Sequence, residues 1–171
     1  MVRSRLGFWV LLLLLSGLVG CGFQLRGSDG GSALPDQWQS MHLNTPSPNS
    51  ELSRVLRTRF TASGIRWLPA SEAAYTLDLG QERFSQRNLS INAQARAAEF
   101  ELALRATFSV RGSDGELLLP PDDAIITKQM ENDPRNVVGK AEEIRILRGE
   151  MRVGLAQQIM RRIAFFAASE R

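Results

Sequence analysis

The 171-residue sequence predicts an α+β fold, a two-layer sandwich in which two helices pack on one face of a four-stranded, mostly antiparallel sheet. Three observations carry that expectation. Between Ala98 and Val110 every even position is apolar, while Glu99, Glu101, Arg105, Thr107 and Ser109 stand at odd positions, the period of a strand with one buried face. Two other stretches, one after Glu51 and one after Val137, repeat apolar residues every three or four positions, which is the period of a helix with one buried stripe. With 43% hydrophobic and 23% charged residues, the chain has material for one domain with a real core.

The chain opens with a segment of another kind. Arg3 and Arg5 precede an apolar run from Leu6 to Leu15, and Ser16-Gly17-Leu18-Val19-Gly20 leads to the lone cysteine, Cys21. Basic head, apolar middle and small residues before a cleavage point are the three regions of a signal peptide, expected over residues 1–20. Leu18-Val19-Gly20-Cys21 resembles the bacterial lipobox, whose cysteine receives diacylglycerol. One acyl chain holds a protein to a bilayer only marginally, whereas the three implied here anchor it permanently. Aspartate directly after such a cysteine favours inner-membrane retention; Gly22 stands there, which points to the outer membrane of a Gram-negative envelope. Cleavage removes two of the 21 basic side chains and leaves 19 against 18 acidic ones, so the pI of 9.7 describes the precursor, and a nucleic-acid partner is not expected.

Residues 21–36 form the lipidated terminus and a tether rich in Gly and Ser, and residues 37–171 the single folded domain. Trp38 to Leu43 makes a first strand with Met41 and Leu43 on one face and His42 on the other, toward solvent. Thr45 to Ser50 supplies helix caps, the stripe Leu52, Val55, Leu56 and Phe60 defines a helix from Glu51, and Gly64 stands where it stops. Residues 73–93 read as one long second strand, bulged near Phe84. The alternating third strand follows, then the turn Gly112-Ser113-Asp114-Gly115, an interruption at Pro120-Pro121, and a weaker fourth strand from Ile125 to Met130. After Asn132-Asp133-Pro134, a helix from Val137 to Ala168 of about 48 Å carries the stripe Ile144, Leu147, Met151, Leu155, Ile159, Ile163 and Phe166. Its other face, with Glu142, Glu143, Arg145, Arg148, Arg152 and Arg161, reads as solvated, with Glu142 pairing to Arg145 a turn away.

Enzyme chemistry is short of reagents. There is one histidine, one cysteine, no Gly-x-Ser-x-Gly elbow and no Gly-rich phosphate loop. The adjacent carboxylates Asp122-Asp123 and Glu142-Glu143 diverge on a strand or helix rather than converge. No catalysis, metal or cofactor is expected.

Cys21-Gly22-Phe23-Gln24-Leu25-Arg26-Gly27 resembles the start of the LPS-assembly lipoprotein family, LptE, just after its lipidation site. Element order, the Ala98-Glu99-Phe100 opening of the third strand, the Asn132-Asp133-Pro134 junction and the Glu-rich start of the last helix extend the likeness over nearly the whole mature chain. The resemblance implies a plug and assembly factor inside the LptD outer-membrane barrel that also binds lipopolysaccharide. It implies a basic ligand-binding residue early in the last helix, matched by Lys140, and a second near the hairpin between the second and third strands. Ala93 stands at that second place, flanked by Arg87 and Arg96. Two other classes stay open: an accessory lipoprotein of another envelope lipid-transport or secretion machine, and a lipid-tethered hydrolase, which would need a deep pocket of converging titratable groups.

Overall fold

The structure, a computed structural model, describes residues 34–91, 97–132 and 137–169. Leu34 and Trp38 are buried around a 3₁₀ turn at Asp36–Trp38, and strand β1 (Ser40–Asn44) follows with Met41 and Leu43 buried. His42 lies on the opposite face, half-buried, with its Nδ1 3.0 Å from the Leu68 carbonyl. Helix α1 (Glu51–Ala62) begins where the hydroxyl of Ser50 accepts the Ser53 N–H at 3.1 Å. It ends at Gly64, whose φ of +93° favours glycine, with the Gly64 and Ile65 N–H groups bonded back to Thr61 and Phe60.

Strand β2 is only Arg66–Trp67, β3 is Tyr75–Leu79 and β4 is Arg83–Ile91. Strand β5 (Ala97–Gly112) is the spine of the sheet. On one side β5 takes β3 and β4 end to end, and on the other β6 (Leu117–Glu131), all antiparallel. Strand β1 pairs in parallel with both β2 and β3. Helix α2 (Val137–Ser169), about 50 Å long, then lies across β5 and β6 and beside α1.

The α+β class and the two helices stand as expected; the four-stranded, mostly antiparallel sheet does not. The sheet is mixed and has six strands. Alternation reveals which face a strand buries, not its direction, and the helical crossover after β1 returns the chain in parallel. The expected single strand over 73–93 is two strands broken at Gly80, whose N–H still bonds the Thr107 carbonyl at 2.8 Å; β4 shifts register near Asn88 and Ser90, not at Phe84. Pro120 and Pro121 do not interrupt β6. They fall in a register shift opposite Ser109 on a strand that, among the described residues, pairs only with β5, where missing N–H groups cost no ladder bonds.

The core lies between the helices and the even-position face of β5. Leu102, Leu104, Ala106, Phe108 and Val110 meet Met151, Leu155, Ile159 and Ile163 of α2, and Leu52, Leu56 and Phe60 of α1, all essentially without solvent exposure. Each such leucine or phenylalanine contributes about 1.5–3 kcal/mol by burial. At the far end of α2, Phe166 meets Trp38 edge-on, and Trp38 stacks on Tyr75 with centroids 3.9 Å apart.

Candidate functional site

The other face of the sheet carries no helix among the described residues, and its side chains explain why it tolerates water. Arg87 meets Glu101 in a fork, Nε to Oε1 at 2.6 Å and Nη2 to Oε2 at 3.1 Å. Hydrogen bonds from Arg87 hold the Glu101 carboxyl below the usual carboxylate range. Further along, Arg105 lies 3.5 Å from Asp123, which also accepts the Thr107 hydroxyl at 2.6 Å. Arg111 donates to Asp78 at 2.8 Å, and Asn44 donates to the same carboxylate at 2.7 Å. The pairs run cross-strand from β4 to β1, so charge is balanced along a polar surface the length of β5.

At the end of the sheet where β4 turns toward β5, the sequence-derived ligand residues are divided. Lys140, in the first turn of α2, donates to Asn132 Oδ1 and holds its Nζ 5.3 Å from the centroid of the Phe100 ring, on the helix-covered face. Arg87 belongs with Glu101, and Glu101 follows Phe100 in β5, so Arg87 and Lys140 sit at the same end but on opposite faces. Arg96, Ala93 and Cys21 lie outside the described residues, as does most of the Asn132-Asp133-Pro134 junction.

One part of the site escaped sequence reasoning. Arg148 and Arg152 are not on a solvated face. Arg152 forks Glu82, Nε to Oε2 at 2.8 Å and Nη2 to Oε1 at 2.7 Å, and also reaches Glu51 at the start of α1. Arg148 donates to Glu82 at 3.1 Å and lies over the Phe84 ring at 4.5 Å. Burial pushes the Glu82 carboxyl up, but the hydrogen bonds and charges of the two arginines outweigh it and hold the group below the usual range. This clasp joins α2 to the break between β3 and β4 and to α1. Glu142 and Arg145 do pair on the exposed side, at 2.6 Å. Among the described residues no group of three His, Cys, Asp or Glu side chains could hold a metal ion.

Known proteins are similar to this chain in sequence and in architecture. The model of the family described as "LptE: Lipopolysaccharide-assembly" matches residues 38–163. The LPS-assembly lipoprotein LptE of Yersinia pestis (strain Pestoides F) is 30% identical, covering 94% of this chain and 77% of its own, and that of Pectobacterium atrosepticum is 27% identical, covering 99% and 90%. The crystal structure of the rare lipoprotein B from Shewanella oneidensis, 25% identical, superposes with a TM-score of 0.68 over 75% of this chain and 96% of that one. A sheet with one polar face and two helices on the other is the architecture that accompanies this match, and the matched family is one of non-enzymatic assembly lipoproteins. The chain belongs to the LptE family of lipopolysaccharide-assembly lipoproteins.

Proposed function

We propose that the protein is an outer-membrane lipoprotein, acylated on Cys21, that fills the lumen of the LptD assembly barrel and binds lipopolysaccharide on its way to the outer leaflet. The observation that carries this reading is the open face of the sheet. From Glu101 to Arg111 it presents charges that are already paired across strands, a surface suited to the polar, wet interior of a large barrel. A hydrophobic partner would leave those charges desolvated, at a cost of several kcal/mol per ion on the order of a buried charge.

The lipopolysaccharide contact is assigned to the sheet end that carries Lys140 and Arg87, with Arg96, which lies outside the described residues, as the third basic candidate. Phosphate attracts both a compact ammonium and a guanidinium fork, and Lys140 also stands where the positive end of the α2 dipole adds to its charge. Arg87 already has a carboxylate in its fork, so Lys140 and Arg96 carry most of the attraction.

Extraction of the native protein in mild detergent, followed by isolation and mass spectrometry, tests the reading. The expected result is a co-isolated large outer-membrane barrel and an amino-terminal peptide with acyl chains on Cys21. A barrel-free preparation would overturn it and favour an accessory lipoprotein of another machine, and an unmodified Cys21 would overturn the lipid anchor in either reading.

A further inference from the structure

We propose that the groove between α1 and α2 binds the alkyl chain of an anionic amphiphile, whose phosphate or carboxylate head is met by Arg54 and Arg59. The groove encloses about 440 Å³ and is bounded by Val55 and Thr58 of α1 and by Gly149 and Val153 of α2. That volume falls within the roughly 300–1,000 Å³ of small-ligand sites. Its floor is open at Gly149, where a Cβ would meet no atom within 4 Å, so a methylene chain can lie along α2 without displacing a side chain.

The charge at the rim selects the ligand. Arg54 and Arg59 are five residues apart, about 140° around the helix axis, and so flank the strip made by Val55 and Thr58. Both are exposed, and neither makes an ion pair among the described residues. The nearest carboxylate on α1, Glu51, is already clasped by Arg152 at one end of the groove. Arg57, with its guanidinium over Trp67, adds positive charge on the same helix. An apolar trough edged by uncompensated guanidinium groups suits a chain with an anionic head, because the head supplies the missing counter-charge while the chain leaves water. A neutral amphiphile would gain only the second of these. The groove is a different place from the sheet end proposed for lipopolysaccharide: Gly149 lies about 14 Å along α2 from Lys140.

The test uses the full chain in nanodiscs of zwitterionic lipid and a dodecyl phosphate bearing a diazirine at the chain end. Photolabelling, mapped by mass spectrometry, is expected in peptides from residues 51–59 and 146–153. Thr58→Trp, which fills the groove from an exposed position, and the pair Arg54→Gln with Arg59→Gln are each expected to lower labelling at least fivefold at unchanged melting temperature. Lys140→Asp is expected to leave it intact, and a dodecyl maltoside probe of the same design to label at least fivefold less. Equal labelling by the maltoside, labelling that survives both groove variants, or loss of labelling in Lys140→Asp would each overturn the proposal.

Discussion

Arg152 holds Glu82 with two parallel hydrogen bonds of 2.7 and 2.8 Å although 70 residues separate them, and both side chains are more than four-fifths shielded from solvent. The fork ties α2 to the chain segment between β3 and β4. Glu82→Ala leaves Arg148 without its carboxylate and Arg152 with only Glu51, and is expected to cost about 2–3 kcal/mol, below the 3–5 kcal/mol of a fully buried pair. Chemical denaturation measures it. Because the folded carboxyl is held below its ordinary value, its contribution is full above the ordinary carboxylate range. It fades as pH falls, since the unfolded chain takes up the proton first, and is gone once the folded carboxyl protonates. The stability gap between the native protein and Glu82→Gln should therefore narrow as pH falls through the carboxylate range; a gap constant with pH contradicts the assignment.

Among the described residues the outer edge of strand β6 pairs with no other strand, and α2 covers part of it. Gln158 Oε1 accepts the Ile125 N–H at 3.1 Å, and Arg162 donates to the Asp123 carbonyl at 3.0 Å and to the Asp122 carboxylate. Bare strand edges template pairing with other chains. Gln158→Ala with Arg162→Ala is expected to lose about 2 kcal/mol, roughly 1 for each hydrogen-bonding side chain, and to raise self-association in light scattering. A monodisperse double variant would show that the edge needs no such cover.

Gly149 costs helix stability without a packing reason, since nothing stands within 4 Å of its would-be Cβ. Gly149→Ala is expected to stabilise the fold by about 0.8–1 kcal/mol, read as a rise of about 3 °C in melting temperature. A lowered melting temperature would mean that the helix requires glycine there.

For lipopolysaccharide, Lys140→Asp with Arg96→Asp is expected to weaken binding at least tenfold, about 1.4 kcal/mol, without unfolding the domain. Arg87→Ala alone is expected to change little, because Glu101 already occupies that guanidinium. Glu101→Gln, which frees Arg87, is expected to tighten binding. Unchanged binding in the double variant rejects the site.

Long periodic segments were legible in the sequence. The Glu51 start of α1, the Val137 start of α2 and the buried even positions of β5 all stand where periodicity placed them, because a dozen or more residues repeat the same signal. Two-residue β2 is too short to repeat anything, and the parallel pairing of β1 leaves no mark on alternation. Arg148 and Arg152 read as solvated because their partner, Glu82, stands 66 and 70 residues upstream, where no local rule looks. For the ligand residues, Lys140 and Arg87 came from family likeness; their placement on opposite faces follows from Phe100 and Glu101 being neighbours in an alternating strand, which the sequence did contain.

In the proposed function the polar face of the sheet meets the wall of a barrel. Photoreactive residues placed in cells at Ala103 and Thr107 on that face, and at Ile146 on the outer side of α2, test it directly. Adducts from positions 103 and 107 to the LptD barrel are expected. Adducts to the barrel from Ile146 alone, or none from the sheet positions, would contradict it.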